Sequence, residues 1–172
     1  PYRGTVYTAN GLRRAVLHHT VNGNGYSAGS VPAMLRSIQS YHQNTRGWDD
    51  IGYNFVIDRF ATVWEGRAQS LYKPVIGAHA ENVNTGSVGM AFLGDGGSAS
   101  LSAAALDAAG RLFGWKLRLH NSRPTQRNIG GHRDVGQTSC PGNRVYGQLP
   151  AGRNRAIALQ PPDGPFFDVP RP

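Results

Sequence analysis

The segment SVGMAFLG, residues 87–94, constrains the fold most because it is a near-continuous apolar run. A strand covered on both faces has this pattern, whereas a strand with one solvated face alternates apolar and polar residues. We therefore expect a central sheet. The apolar run RAVLHHT, which stops at NGNG, predicts a second buried strand that ends in a loop.

Other periodicities predict the elements around this sheet. YNFVI and TVWEG are two strand-like runs that predict a hairpin, and RNIGGH predicts a last short strand. Helical spacing begins after Ser30, the expected N-cap, and again at Ser102. In the second helix Gly110 and Gly114 are four residues apart, which favours close approach of another element.

The length of 172 residues suits one domain that buries its own core, and no apolar stretch is long enough to cross a bilayer. The predicted fold class is α/β (α+β), a single domain with a central mixed β-sheet flanked by helices. We assign residues 1–158 to this domain. Residues 159–172, LQPPDGPFFDVPRP, are predicted to be a Pro-rich tail or linker.

The formal net charge of +8 favours polyanionic partners such as nucleic acid, an anionic membrane face or a cell-wall polymer. However, the basic residues are scattered and form no basic helix or aromatic-basic motif. The prediction is therefore no nucleic-acid partner, and a basic surface that aids solubility or adhesion to a wall.

Two short stretches carry candidate metal ligands. His18 and His19 end a predicted strand, and because adjacent strand residues point to opposite faces, only one of them can serve a given site. His132 and Cys140 have seven residues between them on a glycine-flanked loop. An imidazole and a thiolate suit zinc, with the third ligand coming from elsewhere. A buried inert thiol, or a nucleophilic Cys140 with His132 as its base, are the alternatives.

Five motifs in this order carry a family resemblance: LHHT, YHQNTRGWDDIGYNF, WEGR, GAHAENVNTGSVGMAFLGD and GHRDVGQTSCPG. From about Leu17 to about Pro150 the chain resembles the zinc-dependent N-acetylmuramoyl-L-alanine amidases of the peptidoglycan recognition protein and phage lysozyme-amidase type. The resemblance implies a zinc site at the strand ends, with one ion held by His18, His132 and Cys140 and with water in the fourth position.

The resemblance also implies catalytic and binding residues. Tyr53 would hydrogen-bond the water or the oxyanion, and Thr138 would orient the water or the carbonyl. The residues that match the family's peptide groove are His42, Arg46, Gly47, Trp48, His79 and Asn84. The Gly-Trp pair implies a preference for stems that contain meso-diaminopimelate. From periodicity alone, His42 has an alternative role as a core histidine.

The activity implied is hydrolysis of the amide between N-acetylmuramic acid and L-alanine in peptidoglycan, by a secreted or wall-associated monomer or a phage lysin. Receptor-only members of the family typically lack the cysteine, so Cys140 favours an enzyme. The alternative is a peptidoglycan-binding receptor domain without turnover. Wall remodelling, defence and phage lysis all remain open as the biological role.

Overall fold

A computed structural model describes residues 1–158, so the predicted tail at 159–172 lies outside the described residues. The strands are β1 (Arg14–His19), β2 (Phe55–Ile57), β3 (Val63–Glu65), β4 (Ser87–Phe92) and β5 (Ile129–Gly131). The helices are α1 (Val31–Asn44), α2 (Ala103–Leu119), α3 (Asn143–Gly147) and α4 (Leu149–Ala158). Short 3-10 turns cover Ala28–Ser30 and His132–Asp134. Within residues 1–158, none of the helices is both long and apolar enough to cross a bilayer.

The five strands form one mixed sheet in the order β3-β2-β4-β1-β5, which confirms the predicted fold class. The apolar run 87–94 supplies the central strand, and all six residues of β4 are buried. β4 runs parallel to β1 and β2, and β5 runs parallel to β1. The predicted hairpin is confirmed because β3 pairs with β2 in antiparallel fashion. The carboxyl ends of β1 and β5 therefore meet at one edge of the sheet.

Helices cover both faces of this sheet, as the buried central strand requires. Because strand side chains alternate, Phe55 and Ile57 join the core that includes α2, whereas Val56 packs in a second cluster with Val31 at the start of α1. Each face therefore has its own apolar core. The helices and loops that pack on either core can therefore place side chains at the edge where β1 and β5 end.

The two predicted helix starts differ in how they are capped. Ser102 Oγ accepts a hydrogen bond from the backbone N–H of Ala105 at 3.2 Å, as an N-cap serine does. Ser30 precedes α1 as expected, but its side chain makes no capping bond and donates instead to the carbonyl of Ser27 at 2.7 Å. Ser30 is therefore the N-cap residue, as predicted, but its hydroxyl does not cap the helix because it bonds within the preceding 3-10 turn.

Gly110 and Gly114 lie where α4 crosses α2, as their spacing predicted. A Cβ built on Gly114 would lie 2.7 Å from the carbonyl oxygen of Ala156, so Gly114→Ala must push the helices apart. We expect this variant to lower the free energy of unfolding by about 1–3 kcal/mol, measured by urea denaturation. Gly147→Ala is the matched control, since nothing lies within 4 Å of its Cβ. Equal stability of the two variants would contradict tight packing here.

Candidate metal centre and adjoining groove

The end of β1 sends its two histidines to opposite sides of the sheet. His18 is 1% exposed, and its ring centroid lies 4.5 Å from that of His132. His19 faces away: its Nδ1 accepts a hydrogen bond from the N–H of Gly96 at 3.0 Å and lies 3.5 Å from Asp95. Of the two rings, only that of His18 therefore faces His132 and Cys140, whereas His19 contacts Cys140 through its backbone N–H, 3.4 Å from Sγ.

The pairing of β5 with β1 brings the distant loop to His18. Leu17 is level with Gly131 in the parallel register, so His18 in β1 and His132, the first residue after β5, reach the same edge. The loop then turns back, and the N–H of Arg133 donates to the carbonyl of Cys140 at 3.0 Å. Strand alternation alone does not decide between His18 and His19, because the decision depends on this pairing with β5.

His18, His132 and Cys140 each offer a ligand atom, and these atoms lie within 4.8 Å of one another. His18 Nδ1 is 3.7 Å from Cys140 Sγ. Tetrahedral coordination with ordinary zinc–nitrogen and zinc–sulfur bonds sets ligand separations of about 3.3–3.8 Å. Two imidazoles and one thiolate are also a donor set that suits zinc. The residues therefore fit a zinc ion after a small inward movement.

Burial sets the protonation of this cluster. It lowers the pKa of His18 and of His132, so both rings are neutral and offer a free nitrogen. It raises the pKa of the Cys140 thiol to about 11. A nucleophilic cysteine needs the opposite shift, and a metal ion is the usual means of stabilising a buried thiolate. Burial thus disfavours the Cys140–His132 nucleophilic pair, and the thiol would ligate zinc only as a thiolate that the bound cation stabilises.

Tyr53 and Thr138 both lie beside the cluster. The Tyr53 ring centroid is 5.4 Å from that of His18, and burial raises the Tyr53 pKa to about 12, so the phenol keeps its proton at neutral pH. Thr138 is exposed, and its Oγ1 accepts a hydrogen bond from the N–H of Cys140 at 3.1 Å. The Tyr53 phenol, a hydrogen-bond donor, and the Thr138 hydroxyl therefore adjoin the candidate metal ligands.

An aromatic and basic surface continues from Tyr53 along the end of α1. The ring of His42 lies 5.8 Å from that of Tyr53 and 4.8 Å from that of Trp48. The guanidinium carbon of Arg46 lies 5.3 Å from the Trp48 ring, and Gly47 makes the intervening turn at φ +73°. His42 is 8% exposed and accepts from the N–H of Gly52 at 3.1 Å. His42 therefore lies in the wall of this surface and is also a hydrogen-bonded, mostly buried histidine.

His79 and Asn84 lie behind the cluster rather than along that surface. His79 is 6% exposed, and its Nδ1 is 3.0 Å from His18 Nε2. Asn84 Oδ1 accepts from the backbone N–H groups of His79 and Ala80 at 2.8 and 2.9 Å. The His79 ring packs beneath His18, and its place in the peptide groove stays a prediction. Sequence reasoning also missed Ser87, which contacts His79 from within the apolar run of β4.

Residues 8–143 match the family model Amidase_2, N-acetylmuramoyl-L-alanine amidase. The chain belongs to this amidase family. The matched range contains His18, His132 and Cys140, so the whole ligand cluster belongs to the amidase domain.

Relatives of this amidase domain include proteins named as peptidoglycan recognition proteins and as amidases. Peptidoglycan-recognition protein SC2 of Drosophila melanogaster is 37% identical over 141 residues, which is 82% of this chain and 74% of the relative. The amidase LysC from Clostridium intestinale is 26% identical in a solved structure, with a TM-score of 0.72 over 90% of this chain and 93% of LysC. Peptidoglycan recognition protein LE is 25% identical, with a TM-score of 0.76 over 87% of this chain and 86% of the other.

Proposed function

We propose that this protein is a zinc-dependent N-acetylmuramoyl-L-alanine amidase that hydrolyses the amide between N-acetylmuramic acid and L-alanine in peptidoglycan. The observation that carries the proposal is the complete cluster of His18, His132 and Cys140 at the strand ends. A bound zinc ion supplies Lewis-acid activation of water and of the scissile carbonyl. Three protein ligands are typical of catalytic rather than structural zinc sites, because they leave one coordination position open.

The chain's own residues then orient the substrate and stabilise charge. Tyr53 keeps its phenolic proton through neutral pH and donates it in a hydrogen bond to the oxyanion that develops at the carbonyl. Thr138, held beside Cys140, orients the attacking water or the carbonyl. The surface formed by His42, Arg46 and Trp48 binds the stem peptide and fixes the carbonyl relative to the cluster.

The proposed substrate is peptidoglycan with diaminopimelate-type stems. In a solved complex, peptidoglycan recognition protein LE holds tracheal cytotoxin, a monomeric diaminopimelic acid-type peptidoglycan. Diaminopimelate carries a carboxylate that lysine lacks, and Arg46 beside Trp48 offers a guanidinium to such a group. The basic surface and the wall substrate both suit a secreted or wall-associated protein that acts as a monomer.

The substrate preference is testable with matched muropeptides. We expect kcat/KM to be at least about tenfold higher for a diaminopimelate-type muropeptide than for its lysine counterpart, because one charge-assisted hydrogen bond is lost with the carboxylate. Chromatography measures the rate at which the stem peptide is released. In Arg46→Gln, which keeps an amide donor but no charge, the difference should shrink. Equal cleavage of both substrates by the unmodified protein would contradict this preference.

A peptidoglycan-binding receptor without turnover is the second candidate, since some relatives are named as recognition proteins rather than as amidases. Metal analysis combined with a muropeptide cleavage assay distinguishes the two. Free stem peptide released by zinc-loaded protein, lost on chelation and restored by zinc, supports the amidase. Tight binding without product would support the receptor. Activity that survives chelation but is lost on alkylation of Cys140 would indicate a thiol hydrolase instead.

A further inference from the structure

His79 contacts the proposed metal ligand from the side opposite to the metal cluster. Its Nδ1 lies 3.0 Å from His18 Nε2, and the two rings meet edge to face, with centroids 5.0 Å apart and an interplanar angle of 78°. Both rings are almost entirely buried, so water cannot replace this contact without a change in structure. The remaining ring nitrogen of His18, Nδ1, faces Cys140.

Ser87 determines the direction of the hydrogen bonds in this chain. Its Oγ lies 2.6 Å from the carbonyl oxygen of Val83 and 3.2 Å from that of Asn84, so its single proton is donated to a backbone carbonyl. His79 Nε2, at 3.2 Å from Ser87 Oγ, must then be the donor of that bond. His79 Nδ1 is consequently an acceptor, and His18 must carry its proton on Nε2. A backbone carbonyl thus fixes the tautomers of two successive imidazoles.

Glycines make room for the His79 ring. A Cβ built on Gly89 of β4 would lie 2.4 Å from a ring atom of His79, and one built on Gly77 would lie 2.6 Å from another. The backbone N–H of His79 is also held by Asn84 Oδ1. The ring therefore has one position, directly behind His18.

We propose that His79, held by Ser87, is a positioning residue that fixes the tautomer and orientation of His18 and so presents Nδ1 to zinc. The inference rests on the proposed zinc-dependent function. It gives His79 a different role from a groove residue, because the side chain acts on the metal ligand rather than on the stem peptide. Removal of a hydrogen-bond partner of this kind typically lowers metal affinity about 10–100-fold.

Zinc affinity tests the proposal directly. We expect His79→Leu to bind zinc about 10–100-fold more weakly than the unmodified protein in competition with a chromophoric chelator. His79→Asn should regain most of the affinity, since its side-chain oxygen can accept from His18 Nε2–H. His120→Leu is the control, a partly buried histidine after α2 whose ring contacts Lys116, and it should leave zinc affinity unchanged. Unchanged zinc affinity in His79→Leu, with only a raised KM for muropeptide, would overturn the proposal.

The tautomers provide a second measurement that needs no variant. In the metal-free protein, long-range nitrogen–proton correlation spectra should report both His18 and His79 protonated on Nε2. Protonation of either ring on Nδ1 would overturn the proposal even if His79→Leu fails to fold. The proposed function would fail on a different result, namely that the unmodified protein binds no zinc. The tautomer measurement is made without metal, so its outcome does not depend on that result.

Discussion

Replacing His18 with alanine is expected to abolish stoichiometric zinc binding and to lower muropeptide cleavage by roughly a thousandfold or more, because the lowering of the water pKa by the metal is lost. His18 is buried and supplies one of the three clustered ligand atoms. The measurements are metal content after dialysis and initial rates of stem-peptide release with the same preparation.

His19→Ala is the matched control for this prediction. The two residues are adjacent, but His19 faces Gly96 and Asp95 rather than the ligand cluster. We expect His19→Ala to keep one zinc ion and to lose about 1 kcal/mol of unfolding free energy with the Gly96 hydrogen bond. Zinc retained in His18→Ala and lost in His19→Ala would reverse the ligand assignment.

Tyr53→Phe should lower kcat by roughly 100–1,000-fold, the usual cost of removing one oxyanion donor. The phenylalanine ring keeps the packing against His18 and His42, so zinc content and stability should change little. Burial raises the Tyr53 pKa to about 12, and the missing proton donor therefore affects the rate across the whole neutral range. Single-turnover rates at several pH values check this.

Tyr41→Phe controls for loss of a tyrosine hydroxyl near the groove. Tyr41 is 53% exposed and belongs to α1, next in sequence to His42, with its ring 5.9 Å from the His42 ring. We expect its kcat to stay within about twofold of the unmodified protein, as for most surface changes away from a site. If Tyr53→Phe behaved like Tyr41→Phe, an oxyanion role for Tyr53 would be excluded.

Elements with strong local patterns were predictable because their residues alone decide them. The buried strand at 87–94 and the hairpin from 55 to 65 follow from apolar runs and turn residues, and α2 starts at Ser102 as its capping pattern indicates. The close crossing at Gly110 and Gly114 also followed from spacing, since residues four apart share one helix face. The hydrogen bond of the Ser30 hydroxyl could not be predicted, because it depends on the 3-10 turn that precedes α1.

For the site, the sequence determined the ligand types and the fact that only one residue of the His18–His19 pair could serve. Those statements follow from donor chemistry and from strand alternation, which are local. Tertiary structure alone decided the rest. The parallel pairing of β5 with β1 brings the loop of His132 and Cys140 to His18, the residue that the family resemblance implied, and His79 packs beneath this candidate metal ligand, a contact that the sequence did not predict. Both depend on contacts between residues more than 60 positions apart, and no local spacing encodes which side chains such contacts bring together.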